Sequence, residues 1–283
     1  MEHLTEYPVR IVCRVLNISE QRYYYRRRNP RKPKYTEEEK NLVKEMFIKH
    51  NRSFGRRMLK ACLERDKIYF SEKKISNIMK ELGIVGKYGR PKIKNVHTCK
   101  ETSEKYVSEN IYNEMSEEEQ DKVNAWAIDF TEEKTSEKKV YTCAIIDIKR
   151  KVLVGNKQSF KMDAKFAVDT LEEAIRKYGK PDMILSDRGP QFTSKLFQST
   201  LKEYEIISSM SRPYKPVDNI FIETFFKSMK IEIGSVKHYT VEQYKMVVEY
   251  WINYYNSERP HSSIGYLTPY ECFYGKDRAC HYI

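Results

Sequence analysis

The stretch that decides the fold spans residues 182–230 and reads DMILSDRGPQFTSKLFQSTLKEYEIISSMSRPYKPVDNIFIETFFKSMK. A short apolar run, Met183 to Leu185, predicts a strand that places Asp187 at its carboxyl end. After an interval of 35 residues, Glu223 lies in an apolar segment with helical spacing. Because an acid at a strand end and an acid on a helix can converge on one pair of metal ions, we expect both to be ligands.

A third acid, Asp129, stands inside an apolar strand upstream. In NAWAIDFT, residues 124–131, Trp126, Ile128 and Phe130 alternate with the second face, which carries Asp129. A buried carboxylate is unfavourable unless it is paired or binds a metal. Asp129, Asp187 and Glu223 are therefore the candidate catalytic and metal-binding residues. Hard oxygen ligands indicate Mg²⁺, with Mn²⁺ as a substitute, in two-metal phosphodiester chemistry on DNA.

The pattern of residues 124–235 predicts an α/β domain with the order β-β-β-α-β-α-β-α. This order corresponds to a mixed five-stranded sheet that is flanked by helices. The predicted elements are strands at 124–131, 140–148, 152–160, 183–187 and 205–210, and helices at 163–178, around 197–204, at 218–233 and at 240–256. We assign residues 124–235 to the catalytic core and residues 236–283 to a carboxyl-terminal helical extension.

The charge of the chain is unevenly distributed. The net charge is +12, and residues 1–100 hold 26 lysines and arginines against 11 acids, whereas residues 101–283 hold 26 against 29. This asymmetry predicts an amino-terminal part that binds a polyanion, joined to a nearly neutral catalytic part. A basic surface that serves only solubility is the alternative.

The basic part contains two segments. In residues 1–35, arginines such as Arg22 and Arg26 are interleaved with Tyr23, Tyr24 and Tyr25, which suits phosphate contact and base stacking. A solvated basic linker, favoured by Pro30 and Pro33, explains the same composition, and both interpretations stay open.

Residues 36–98 are predicted to be an all-α helix-turn-helix domain with a capping box at its first helix, and a plain helical bundle is the alternative. Its candidate DNA contacts are Arg56, Arg57, Lys73 and Lys74. Residues 99–123 are acid-rich and are assigned to a linker.

The helix around Glu223 supplies further candidates for DNA contact. Asn219, Glu223, Lys227 and Lys230 are spaced to share one helical face. An exposed Glu–Lys pair of the kind that is common on helices would show the same spacing. Beside Asp187, Arg188 is also a candidate for DNA contact.

Several sequence runs resemble one protein family. They are WAIDFT (126–131), LSDRGPQFTS (185–194), SSMSRPYKPVDNIFIETFFKSMK (208–230), YNSERPHSSIGYLTP (255–269) and, near the amino terminus, NRSFGRRMLKACLERDKIYFSEKKISNIMKELGI (51–84). The order Asp, Asp, 35 residues, Glu, with a lysine seven residues later, is similar to that of DDE transposases and retroviral integrases. In particular, the chain resembles the second-frame (OrfB-type) product of a bacterial insertion sequence.

The resemblance implies a ribonuclease-H-like core in which Asp129, Asp187 and Glu223 bind metal and Lys230 contacts the DNA end. It also implies cleavage at terminal inverted repeats by water, followed by attack of the freed 3′-hydroxyl on target DNA. Expected partners are both DNAs, further copies of the chain, and an upstream helix-turn-helix frame fused by frameshifting.

Two alternative functions fit the same residues, and the composition bears on the location of the protein in the cell. The chain could be a domesticated or inactive DNA-binding protein with a relic core, or a nuclease that cuts without joining. The sequence has no run of about 18 apolar residues, and its six scattered cysteines suit a reducing compartment. We therefore expect a cytoplasmic, nucleoid-associated protein without a membrane span.

Overall fold

The computed structural model describes residues 8–29, 34–88, 107–212 and 219–275. Its amino-terminal part is helical: α1 (Val9–Val15), α2 (Glu20–Arg28), α3 (Glu37–Lys49), α4 (Arg56–Arg65) and α5 (Glu72–Glu81). Residues 20–28, for which a basic linker was one interpretation, therefore form a helix. Pro30 and Pro33, on which that interpretation depended, lie outside the described residues.

Helices α3, α4 and α5 form the helical unit that the sequence predicts. Thr36 and Glu39 make the predicted capping box at α3, and the Ser71 side chain accepts a hydrogen bond from the backbone of Lys74 at the start of α5. The three helices pack around fully buried side chains that include Val43, Leu59 and Ile75.

Five strands form one mixed sheet in the order β3-β2-β1-β4-β5. They are β1 (Ala125–Lys134), β2 (Lys139–Asp147), β3 (Leu153–Ser159), β4 (Met183–Ser186) and β5 (Ile207–Met210). The first three strands are antiparallel neighbours, whereas β4 is parallel to both β1 and β5. The predicted sheet is confirmed, although β1 extends to Lys134 because Glu132 and Glu133 pair with β2 across a tight turn.

The remaining helices cover both faces of the sheet. They are α6 (Ile111–Glu114), α7 (Glu117–Gln120), α8 (Ala164–Tyr178), α9 (Lys195–Glu203), α10 (Ile220–Ile233), α11 (Val241–Ser257), a 3-10 helix (Ser262–Ile264) and α12 (Pro269–Tyr274). Because side chains alternate along a strand, Trp126 and Ile128 of β1 face a core with α8 and α9, while Ala125 and Ala127 face a core with α10 and α11.

Part of the acidic segment packs on the sheet. The Met210 backbone N–H of β5 donates to the carbonyl oxygen of Glu109 over 3.1 Å, and that of Tyr112 donates to Ser209 Oγ over 3.1 Å. Tyr112 is buried beside Phe221 of α10. The described half of the predicted linker therefore forms part of the packed core, while residues 99–106 lie outside the described residues.

Two further expectations concern cysteines and membranes. Cys13, Cys62, Cys143 and Cys272 are unpaired thiols, and Cys99 and Cys280 lie outside the described residues. Among the helices of the described ranges, none is both long enough and apolar enough to span a bilayer.

Candidate active site

Asp129 lies within β1, opposite Ala144 of β2. Strand alternation places it on the same face as Ala125 and Ala127, which is the face that α10 covers. The half-buried carboxylate accepts a hydrogen bond at Oδ1 from the Phe130 backbone N–H over 2.8 Å. This contact fixes the carboxylate against its own strand.

Asp187 directly follows β4, the strand that runs parallel to β1. Its Oδ1 accepts a hydrogen bond from the Gly189 backbone N–H over 2.8 Å. A Cβ atom on residue 189 would lie 2.8 Å from both Asp187 Oδ1 and Gln191 Oε1, which is too close for a side chain. Glycine at this position therefore keeps the backbone near the carboxylate.

Glu223 lies in the first turn of α10 and is exposed. Partial burial of its carboxyl group raises its pKa. At Asp129, burial and the neighbouring charges of Asp187 and Glu223 raise the pKa to about 8, against the opposing effect of the Phe130 hydrogen bond. The fold thus places Asp187 and Glu223 near enough to Asp129 for their charges to raise its pKa, and we call Asp129, Asp187 and Glu223 the acidic edge.

The acidic edge suits a divalent cation by its chemistry. It offers carboxylate oxygens only, which Mg²⁺ prefers, and burial together with the charges of Asp187 and Glu223 raises the pKa of Asp129. Across the described ranges, however, no three His, Cys, Asp or Glu side chains lie close enough together to hold a metal ion. The donor set fits the ion, but the carboxylates are not gathered around one point.

The other candidates on α10 differ in their surroundings. Lys230 Nζ lies 3.1 Å from Glu133 Oε1, so it is ion-paired with β1, while Lys227 is exposed. Asn219 is the residue before α10 and is only 6% exposed. Its Oδ1 has no hydrogen-bond partner among the described residues. The predicted common face is thus exposed for Glu223 and both lysines, but not for Asn219.

The remaining candidates for DNA contact make contacts within the chain. Arg188 Nε donates to the carbonyl oxygen of Ser211 over 2.9 Å and so joins the segments after β4 and β5. Glu72 accepts Arg56 Nε at 3.3 Å and lies 3.7 Å from Arg57 Nε. Two lysines of α5 complete the set: Lys74 is ion-paired with Glu39 at 2.6 Å, and Lys73 is exposed. Each of these residues stays a predicted DNA contact.

Sequence reasoning missed a buried cluster at the far end of α10. Glu232 and Arg259 are 4% and 7% exposed. Glu232 Oε1 accepts Arg259 Nε over 3.0 Å, and its Oε2 accepts Trp251 Nε1 over 2.9 Å. Tyr88 donates to Glu232 and accepts from Arg259 Nη2 over 3.0 Å. We call Tyr88, Glu232, Trp251 and Arg259 the Arg259 cluster.

The Arg259 cluster joins the helical amino-terminal unit to the core. Close to it, His50 Nδ1 lies 2.8 Å from the Tyr254 hydroxyl, and burial and nearby cations lower the pKa of His50 to about 4. Arg65 donates two hydrogen bonds to the carboxylate of Glu271, at 2.7 and 2.6 Å. The sequence contained one signal for the burial of Glu232, because this residue continues the helical stripe of Ile222 and Met229.

Several proteins of known description are similar to this chain in sequence or in structure. The transposase for insertion sequence element IS904 from Lactococcus lactis subsp. lactis (strain IL1403) is 29% identical over 231 residues, covering 80% of this chain and 90% of that protein. Transposase InsF for insertion sequence IS3A from Escherichia coli (strain K12) is 26% identical over 291 residues, covering 98% of each chain. The solved catalytic core domain of HTLV-2 integrase in complex with magnesium is 18% identical and aligns with a TM-score of 0.44, covering 53% of this chain and 95% of that chain.

Known domain families match two parts of the chain, the helical amino-terminal unit and the part that contains the sheet. An HTH-like domain matches residues 34–92, which contain α3, α4 and α5. Two descriptions of the integrase core domain match residues 121–216 and 204–269, which contain the whole sheet and α10. Together these two matches span more than half of the chain. The chain therefore has matches to an integrase core domain and to an HTH-like domain, and it is homologous to the transposases of bacterial insertion sequences.

Proposed function

We propose that this chain is a divalent-metal-dependent transposase that cleaves DNA at the terminal inverted repeats of an insertion sequence and joins the ends to target DNA. The observation that carries the proposal is the placement of three acids: Asp129 lies on the face of β1 that α10 covers, Asp187 follows the neighbouring parallel strand β4, and Glu223 lies in the first turn of α10. Binding of metal and DNA would then draw the three carboxylates together around one phosphodiester. Homology to transposases supplies the reaction class.

Asp129, Asp187 and Glu223 would hold Mg²⁺ through carboxylate oxygens. Bound metal would activate the attacking hydroxyl group, from water in cleavage and from the DNA 3′ end in joining, and stabilise the leaving oxygen. The backbone N–H groups of Phe130 and Gly189 keep one oxygen of Asp129 and one of Asp187 oriented.

The basic residues beside the acidic edge would position the DNA. Lys227 and Lys230 follow Glu223 along α10, and Arg188 holds the carbonyl group of Ser211 next to Asp187. Lys230 is paired with Glu133 in the chain alone. We expect a DNA phosphate to replace Glu133 as its partner, since both are anionic oxygen ligands for an ammonium group.

The experiment uses labelled duplexes that carry the terminal repeats flanking the gene, with Mg²⁺ and a target plasmid. We expect joined products from the native chain. Asp187→Ala should abolish cleavage and joining while duplex binding survives, because it removes a ligand and leaves the DNA-binding unit intact. Glu203→Ala removes an exposed acid of α9 and is the matched control.

Each other result identifies a different function. Joining by Asp187→Ala at the native rate would refute the carboxylate assignment. Binding by the native chain without any cleavage would identify a DNA-binding protein with a relic core. Cleavage without joined products would identify a nuclease.

A further inference from the structure

Helices α1 and α2, at residues 9–28, form a compact unit outside the HTH-like match at 34–92. Four residues connect the helices. Among them, Asn17 has a φ of 50°, and the Ile18 N–H donates to the carbonyl oxygen of Cys13 over 3.0 Å. The Ser19 side chain then accepts a hydrogen bond from the Arg22 N–H over 3.2 Å and caps α2. Two short helices with a tight turn that contains a left-handed residue are typical of a helix-turn-helix.

The second helix of this unit is presented to solvent. No residue of α2 is buried, whereas Val12 and Cys13 of α1 are. Tyr23 is half-buried, and the residues on the opposite side of the helix are Gln21, Tyr25 and Arg28. Tyr25 is 67% exposed. The outward face of α2 thus carries an amide, a phenol and a guanidinium group, each of which can contact a base edge or a phosphate.

The charge of this unit indicates an anionic partner. Residues 8–29 contain six arginines and a single acid, Glu20. Among the described residues, no ion pair engages any of these arginines. Arg22 and Arg26 are four residues apart, so they repel each other along the helix. A helix without a buried residue that carries uncompensated positive charge gains stability from a polyanion.

We propose that residues 9–28 are a second helix-turn-helix, which places α2 in the major groove of duplex DNA. Gln21, Tyr25 and Arg28 face the bases, and the flanking Arg22 and Arg26 contact phosphates. The chain then reads DNA with two separate units, of which the HTH-like domain is the other. This inference shares DNA as the partner with the proposed function, but it does not depend on the acidic edge.

The first test measures binding of the full chain to a fluorescent mixed-sequence duplex of about 40 base pairs, roughly four helical turns, in EDTA at several salt concentrations. EDTA prevents metal-dependent chemistry, so failure of the proposed function does not affect the readout. Arg22→Ala/Arg26→Ala should weaken binding about tenfold and lower the salt slope by about 2, as expected for two lost phosphate contacts. Arg176→Ala/Lys177→Ala removes two exposed positive charges from α8 and should bind like the native chain.

The second test separates a folded reading unit from a flexible basic arm. Asn17→Val retains every arginine but places a β-branched residue at a φ of 50°, which it rarely adopts. Asn17→Gly allows this φ and is the control. We expect Asn17→Val to weaken duplex binding and Asn17→Gly to preserve it.

Three results would overturn the proposal. The first is native affinity and salt slope in Arg22→Ala/Arg26→Ala. The second is native affinity in Asn17→Val, which would identify an arm that binds through charge alone. The third is tighter binding to the single strand of the same sequence than to the duplex, which would identify a stacking surface for single-stranded DNA.

Discussion

The Arg259 cluster and the acidic edge lie near opposite ends of α10, and their carboxylates have opposite surroundings. In the Arg259 cluster, Glu232 accepts hydrogen bonds from an arginine, a tryptophan and a tyrosine. At the acidic edge, Asp129 accepts one backbone N–H and faces two further acids, which helps to raise its pKa to about 8. The first group is internally neutralised, whereas the second retains unbalanced negative charge.

The difference shows which carboxylate holds the fold together and which is available to a ligand. A buried ion pair with every oxygen occupied has no capacity for a cation, so Glu232 is structural. Carboxylates that repel one another reduce stability until a positively charged ligand binds, and such groups are typical of functional sites. Removing a charge should therefore lower the free energy of unfolding in the Arg259 cluster and raise it at the acidic edge.

The largest expected effect is the loss of Arg259. Arg259→Ala leaves the Glu232 carboxylate buried without its charged partner and should reduce the free energy of unfolding by about 3–5 kcal/mol. Urea denaturation at neutral pH measures this change. Arg176→Ala, on the exposed surface of α8, is the control. A loss of stability no greater than that of the control would contradict the structural role of the cluster.

The next effect is a pH dependence of stability, which arises from His50 between the helical amino-terminal unit and the core. The pKa of His50 is lowered to about 4 from an ordinary value of 6.5, so the unfolded chain takes up a proton first as pH falls. The stability contributed by neutral His50 is therefore complete above pH 6.5 and lost as pH falls towards 4, with a limit of about 3 kcal/mol.

His50→Gln should flatten this part of the stability curve. Subtracting its urea midpoints from those of the native chain isolates the contribution of His50 from that of the other titrating groups. Parallel curves between pH 6.5 and 4 would show that protonation of His50 does not affect folding.

The third effect has the opposite sign and tests the acidic edge. Asp129→Asn removes the charge that is disfavoured by burial, Asp187 and Glu223, and should raise the free energy of unfolding by about 1–2 kcal/mol at pH 8 or above, where the native carboxyl group is charged. The same variant should lose strand transfer. Destabilisation by Asp129→Asn would mean that the charge at this position supports the fold, as it does in Glu232.

The smallest effect concerns an exposed ion pair. The side chains of Arg56 and Glu72 are 53% and 44% exposed, so solvent screens their attraction. Arg56→Ala should change stability by only about 0.2–1 kcal/mol, measured by thermal denaturation. If Arg56 contacts a DNA phosphate, the same variant lowers the affinity for duplex DNA by a similar factor whatever the DNA sequence. A stability loss as large as that of Arg259→Ala would remove the distinction between exposed and buried pairs.

Local signals explain why much of the fold was predictable. The capping box at Thr36 and the cap at Ser71 define helix starts within a few residues. The alternation around Asp129 and the apolar run before Asp187 indicated β1 and β4, and the helical spacing around Glu223 indicated α10. The amino acids of the acidic edge were therefore predictable one by one, since each is placed by its own element.

Contacts between distant segments were not predictable. Glu133 stands in a polar run that the sequence pattern does not include in a strand. Pairing with Val140 makes it part of β1 and brings it to Lys230. Arg259 is 27 residues from Glu232, and Tyr88 is 144 residues from it, so no local pattern joins them. Tertiary pairing determines such positions, and propensity does not reveal it.

The packing of Glu109 against Met210 sets a limit on how the catalytic part can be isolated. β5 is the last strand of the sheet, and the chain near Glu109 shields its outer side. A fragment that starts at residue 121, where the integrase core match begins, would uncover this strand together with the pocket of Tyr112. Uncovered strand edges pair with other chains, so such a fragment would aggregate, whereas one that starts at residue 107 keeps the shield.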